Sequence, residues 1–462
     1  MKKIHLNIED IFNIPTAVIY DPDMFKTIYH ISINSRNIKK NTLFIAIKGE
    51  RFDAHDFIDE VVKRGASAII INEKKFKNIN ELDIPVITVK DTTLALGEVA
   101  KLWRAKLKTK VIGITGSAGK TTTKEILATL LSEKFKVNKT AANNNNHIGV
   151  PLTILSTNEK HQVLVAELGT NHFGEIPYTA SIASPDLALI TNIGDSHLEY
   201  LKNLNGVFKE KSALFKETIN RGGKIFINND DKILKEFGKT VKNKSTYALT
   251  ERAEYKSKVK GFDNFARPQI EIKSKGKNFK ATLPISGEKN VLNFTAAYTI
   301  ATNLGVSNTQ LQKAVKKIKS HNKRLEIKNY KNFTLIDDTY NANPNSMKSS
   351  LEILNKIENR KRKIAVLGDM FELGSASKLK HQELANLISK TSVDEVYSIG
   401  HMMNFMNKKL TGKTKINQHF DKRESLIKHL KTLDKKNSVL LVKGSRGMRM
   451  EEFVSIIESV KN

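Results

Sequence analysis

The sequence predicts an α/β protein of three domains, and three observations carry that prediction. At residues 111–124 an apolar run breaks into a glycine-rich turn, a lysine and three threonines, VIGITGSAGKTTTK. A strand, a phosphate loop and a helix start are written in this way. Short apolar runs alternate with helix-patterned stretches along the whole chain. The chain has 462 residues, more than one core fills, so at ~150 residues per domain it divides into about three.

The first segment, 1–105, holds LFIAIKG (43–49), helix-patterned DFIDEVVKRG (56–65) and ASAIIIN (66–72), enough for a small α/β domain. A helix over TLALGEVAKLWRAKL (93–107) leads into the phosphate-loop strand and carries the first boundary near its end. The second segment, 106–318, is a phosphate-loop domain with strands VLVAEL (163–168), LALIT (187–191) and KIFIN (224–228). Near-continuous apolar runs of this kind suit a sheet covered on both faces. Residues 253–285 are more polar and predict a small β-structure, and NFTAAYTIATNLG (293–305) reads as a helix ending on Gly305. The third segment, 319–462, follows the basic run KKIKSHNKR (316–324). Strands FTLIDD (333–338), KIAVLGD (363–369), EVYSIG (395–400) and VLLVKGS (439–445) alternate there with helices such as SMKSSLEILNKIE (346–358). That alternation predicts a doubly wound, Rossmann-like sheet with ligand groups at the strands' carboxyl ends, where Asp338, Asp369 and Lys443 fall.

Composition narrows the function. With no cysteine, disulfides, thiolate metal sites and cysteine nucleophiles are excluded, which suits a reducing cytoplasm. No stretch reaches the ~20 apolar residues of a membrane span, and the expectation is a soluble cytoplasmic protein. The net charge of +29 raises the question of nucleic acid. The lysines, as at Lys74 and Lys75 or Lys316 and Lys317, are interleaved with acids and apolar residues, so we expect no nucleic-acid partner and only mild attraction of anionic substrates.

The phosphate loop supplies the chemistry. A strand ending at Thr115 leaves Gly116, Ser117, Ala118 and Gly119 to present backbone N–H groups to phosphate, helped by the positive start of the next helix at Thr121 and Thr122. Lys120 would neutralise the β- and γ-phosphates, and the Thr121 hydroxyl would serve Mg²⁺. The spacing departs from the strict Walker pattern, with Ile114 five positions before Gly119 and the nearest glycine at Gly113. Glu167 ends one apolar strand and His197 follows another, and such a carboxylate and imidazole can complete an Mg²⁺ shell. A lone histidine is more often a satisfied structural residue, but this one follows a strand of the phosphate-loop segment.

Runs in order along almost the whole chain now carry a resemblance: TGSAGKTTT (115–123), NNNNHIGVPLTIL (143–155), AELGTNHFGEI (166–176), TNIGDSHLEYL (191–201), GEKNVLN (287–293), HNKRLEI (321–327), IDDTYNANPNSM (336–347), LGDMFELG (367–374) and VKGSRGMRMEEF (442–453). The chain resembles the Mur ligase family, ATP-dependent enzymes that build the peptide of the bacterial cell-wall precursor. ELGTNHFGEI, DDTYNANP and GDMFELG look most like the member that joins D-alanyl-D-alanine to UDP-N-acetylmuramoyl-tripeptide, and the DNPR signature of the diaminopimelate- or lysine-adding member is absent. Lys289 stands where a histidine is common, and Asn41 and Ala54 replace common glycines.

The resemblance implies an acyl phosphate, made when the peptide carboxylate attacks the γ-phosphate of ATP and consumed when the dipeptide amine attacks the acyl carbon. It implies Lys120 and Thr121 on the phosphates, Glu167 in one Mg²⁺ shell, and His197 with a carbamylated Lys211 at a second Mg²⁺. Asn290 and Asn293 would face adenine, Arg324 the phosphates and Asp338 the ribose, dividing the ATP site between two domains. Asn144, Asn145, His147 and Thr153 would grip the muramyl peptide. Asn171, His172 and Glu175 would lie near peptide and dipeptide. Ser35 and Arg36, with Asp53 and His55, would take the UDP end, and Tyr340, Asn341 and Asn343 would shape the junction. The expected assembly is a monomer. Another Mur ligase or a folylpolyglutamate synthase-like ligase is the nearest alternative, and a nucleic-acid-tracking ATPase or a non-catalytic precursor-binding protein are readings from other classes.

Overall fold

The computed structural model describes residues 4–78, 82–274, 276–319 and 323–459, so His321 and Asn322 of the HNKRLEI run lie outside the described residues. Its strands form three sheets of five, nine and six. In the first, Val86–Val89, Ala66–Asn72, Thr42–Ile45 and His30–Ser32 run parallel, and Val18–Tyr20 is an antiparallel edge.

In the second sheet the phosphate-loop strand Lys110–Thr115 lies between Val163–Glu167 and Leu187–Ile190, all parallel. The sheet continues through Lys224–Asn228 and Lys244–Ala248 to an antiparallel meander, Tyr255–Phe262, Pro268–Ser274 and Lys277–Thr282, which is the polar segment read as β-structure. Helices Lys120–Leu131 and Glu288–Asn303 share the core on one face. The second of these starts five residues before its predicted position, because GEKNVLN forms its first turns behind Gly287.

The helix Thr92–Lys106 does more than connect. Asp91 caps it by accepting from Thr93 N–H at 2.7 Å and Leu94 N–H at 3.0 Å. Its buried face, Leu96, Val99, Ala100 and Trp103, follows the helical repeat, and Gly97 lets Tyr178 approach where a Cβ would collide. Trp103 Nε1 donates to Thr157 O at 2.8 Å, and Arg104 donates to Ala183 O and Ser184 O, each at 3.0 Å. One core therefore runs from the first sheet into the second.

The third sheet orders as Glu326–Asn329, Phe333–Asp338, Ser438–Lys443, Arg362–Gly368, Glu395–Ile399 and Ile416–Phe420. Only the first pair is antiparallel. The two strands that the sequence reading missed are the edges, which are short and only partly buried, so their patterns lack an apolar run. Asp338 and Lys443 end neighbouring strands as expected. Asp369 is buried and turned away, accepting from Met402 N–H and Met403 N–H at the start of helix His401–Leu410.

Candidate active site

The phosphate loop is fixed by its own backbone and by the end of the neighbouring strand. Gly116 has φ 147° and abuts Thr191, leaving no room for a Cβ, and Gly119 starts the helix at φ 83°. Ser117 Oγ donates to Gly194 O at 2.9 Å, and Ala118 N–H donates to Asn192 Oδ1 at 3.1 Å. The Lys120 ammonium donates to Gly116 O at 2.7 Å, and burial pulls its pKa below the usual lysine range. Thr121 Oγ1 donates to Glu167 Oε1 at 2.9 Å, and Asn145 Nδ2 donates to the same oxygen at 3.0 Å. Glu167 Oε2 is buried without a hydrogen bond among the described residues, 3.4 Å from the ammonium of the buried Lys124.

This loop forms one wall of a cavity of about 510 Å³. Ser117, Ala118, Gly119, Lys120, Thr121, Thr122, Glu167, His197, Asn290 and Asn293 line it from the central sheet, with Asn145, His147, Asn171, His172 and Glu175. Arg324, Asp338, Tyr340, Asn341 and Asn343 line it from the third segment. Candidates far apart in sequence thus meet in one space. Arg324 lies over the Tyr340 ring, 3.9 Å from its centroid. Asp338 is tied to Lys443 Nζ and Ser350 Oγ, both at 2.6 Å. Asn343 caps helix Pro344–Lys356 through Ser346, so part of the DDTYNANP run builds a helix start.

Other candidates are placed elsewhere. Lys211 is fully buried beside the cavity and does not line it; its Nζ has no hydrogen-bond partner among the described residues, and burial, with Lys120 adding repulsion, lowers its pKa well below the ordinary value. Gly116 is a turn residue behind the wall. Asn144 is exposed, with its backbone against Gly149, and the Thr153 hydroxyl donates to Gly149 O within its own helix at 2.8 Å, so neither faces the cavity. Glu175 reaches the rim, but its Oε2 accepts Asn171 N–H at 2.6 Å and His172 N–H at 3.2 Å. Burial alone would raise its pKa; those hydrogen bonds outweigh burial and lower it.

A second cavity of about 400 Å³ lies at the first sheet, lined by Lys48, Asp53, His55, Asn72, Lys74, Lys75 and Lys90. His55 Nδ1 is 2.5 Å from Asp53 Oδ1, and Asn72 N–H donates to His55 Nε2 at 3.0 Å. Burial would raise the Asp53 carboxyl, but hydrogen bonds from His55 and Lys75 hold it down at about 2. Ser35 and Arg36 line neither cavity.

Three family models cover the chain in order: Mur ligase family, catalytic domain (residues 27–104), Mur ligase middle domain (114–301) and Mur ligase, glutamate ligase domain (323–446). The chain is 32% identical over 462 residues to the UDP-N-acetylmuramoyl-tripeptide–D-alanyl-D-alanine ligase of Bacillus subtilis, covering 99% of each. The chain belongs to the Mur ligase family. Its fold is similar to MurF from Acinetobacter baumannii, with TM-score 0.88, 30% identity and 99% of each chain covered. It is also similar to MurF ligase from Thermotoga maritima in complex with ADP, with TM-score 0.82, 30% identity, and 93% and 97% covered. These likenesses support an ATP-dependent Mur ligase of three α/β parts.

This Mur ligase has further cavity residues, of which the sequence reading missed Glu372 and noted Lys289 only as a departure from a common histidine. His197 Nδ1 is 2.7 Å from Glu372 Oε2 of the third segment, and that histidine holds the Glu372 pKa below its usual value. Both residues have left-handed backbones, φ 53° and 63°. Lys289 Nζ donates across the cavity to Asn345 O at 2.8 Å. Glu372 had one available signal, its place in LGDMFELG just past a strand's carboxyl end. Among the described residues no three acidic or histidine side chains form a ready cation site. The Thr121–Glu167 pair, with one buried carboxylate oxygen lacking a hydrogen bond among the described residues, would fit an Mg²⁺ ion.

Proposed function

We propose that the chain joins D-alanyl-D-alanine to UDP-N-acetylmuramoyl-tripeptide, using ATP and forming ADP, phosphate and the pentapeptide precursor of peptidoglycan. One observation carries this reading: the phosphate loop, the 169–175 loop and Arg324 and Asp338 of the third segment line a single cavity. Full-length likeness to ligases of that name supports the choice of substrates over a folylpolyglutamate synthase-like acceptor.

The tripeptide's terminal carboxylate attacks the γ-phosphorus, the bond to ADP breaks, and an acyl phosphate results. The dipeptide amine then attacks the acyl carbon, phosphate leaves and the amine loses a proton. Lys120 and Arg324 bring fixed positive charge to the phosphates while the cavity keeps water from the acyl phosphate. Thr121 and Glu167 would hold one Mg²⁺ and His197 a second; bound Mg²⁺ supplies charge neutralisation on the phosphates. Lys211, lowered in pKa by burial, would react with CO₂ as the neutral amine and become a carbamate, an anionic oxygen ligand in place of an ammonium.

Asn293 lies beside Gly119 and donates to Asn290 Oδ1 at 3.1 Å, on the adenine side of this reading, and the second cavity, with Asp53 and His55, takes the UDP end better than Ser35 and Arg36. We place the domains at 1–105, 106–318 and 319–462. The enzyme works as a cytoplasmic monomer without nucleic acid; among the described residues no helix is long and apolar enough to cross a membrane. The test is ADP release with UDP-N-acetylmuramoyl-tripeptide, adding and omitting D-alanyl-D-alanine. Release that requires both substrates is expected, and release indifferent to the dipeptide would overturn the reading.

A further inference from the structure

The loop 169–174 carries Asn171 and His172 along the cavity, yet part of what shapes it comes from a helix behind it. Glu210, on helix Leu204–Asn220, is 2% exposed. Its Oε2 accepts Gly174 N–H at 2.9 Å and its Oε1 accepts Ile176 N–H at 2.6 Å. Helix Glu175–Ala183 starts at these groups, and its N-cap residue Gly174, at φ 93°, has no side chain to satisfy them. A carboxylate buried this deeply is costly unless its oxygens are occupied, and here both accept charge-assisted hydrogen bonds.

Capping alone would need no link to the cavity, but three such links exist, the first being Thr170, which lines the cavity and donates its Oγ1 to Glu210 Oε1 at 3.4 Å. From within the same turn Glu175 ties Asn171 N–H and His172 N–H, so the end fixed by Glu210 governs where those residues stand. Glu210 also directly precedes Lys211 on one rigid helix, which registers the loop to that lysine. We propose that Glu210 is a positioning residue that sets the loop bearing Asn171 and His172 relative to Lys211.

The kinetic half of the test rests on the proposed ligase reading, and the other half does not. In Glu210→Gln one amide oxygen still accepts while the NH₂ faces the second N–H, and Glu210→Ala removes both acceptors. Losing a hydrogen bond to a charged group shifts an equilibrium by about tenfold or more. Amide hydrogen exchange over 170–176 should therefore quicken about tenfold or more in Glu210→Ala, with an intermediate effect in Glu210→Gln. The KM for UDP-N-acetylmuramoyl-tripeptide or the dipeptide should rise by a similar factor, with the KM for ATP unchanged. Unchanged exchange in the folded Gln variant, or faster exchange with all three KM values unmoved or raised alike, would overturn the proposal. If the wild type uses none of these substrates, the ligase reading fails and exchange alone decides the role of Glu210.

Discussion

Lys120 donates to a carbonyl of its own loop and stands half-buried on the cavity wall, where a lysine gains most from an anion. Lys120→Ala should therefore cut ligation by on the order of 100-fold or more, as loss of a fixed electrostatic group does, while the melting temperature holds. Near wild-type turnover in the folded variant would remove the loop from the ATP site. Lys211 poses the opposite case, a buried amine with no hydrogen-bond partner among the described residues. Lys211→Ala should lose most activity and recover part of it with added short-chain carboxylates, read by ADP release; an unmodified Lys211 ammonium in a high-resolution crystal structure of the fully active, metal-loaded enzyme would contradict the carbamate. Lys120, Thr121 and Glu167 were legible because a phosphate loop is written locally, in glycines and a strand end. The inward turn of Thr153 and the use of Glu175 on its own loop were not, because both depend on competition with nearby backbone groups. The His197–Glu372 contact joins distant segments that no local pattern connects.

At the scale of elements, apolar runs buried on both faces were easy to read, and FTLIDD and KIFIN are strands end to end. Edge strands were lost because solvent on one side permits polar residues, as in Ile416–Phe420. The helix Thr92–Lys106 was read as a connection, yet its amphipathic face and Arg104 bind it to the central unit. Its cap makes that visible experimentally. Asp91→Ala removes two N-terminal hydrogen bonds and should cost about 1 kcal/mol, seen as a lower urea midpoint. No shift in the midpoint would mean that tertiary packing alone holds the helix start.

Across the whole molecule, the first and second sheets share one hydrophobic core, while the third is packed between two cores built of its own residues save for Ala266, which reaches one of them from the central meander. Polar pairs join the third segment to the cavity's other wall, His197 to Glu372 at 2.7 Å, Asp195 to Lys380 at 3.3 Å and Lys289 to Asn345 at 2.8 Å. Such an interface separates more readily than a shared apolar core, so the third segment should move as one body while the first two move together. Small-angle scattering should show compaction when ATP analogue and UDP-tripeptide are added, and an unchanged radius of gyration, with Arg324→Ala fully active, would reject a closing site. Closed, the site makes one amide bond to one dipeptide. The mass of the nucleotide product, formed with D-alanyl-D-alanine competing against lysine, diaminopimelate and glutamate, tests it most directly. The account predicts UDP-N-acetylmuramoyl-tripeptide heavier by one D-alanyl-D-alanine less water, one ADP released per product; a product carrying a single amino acid instead would contradict it.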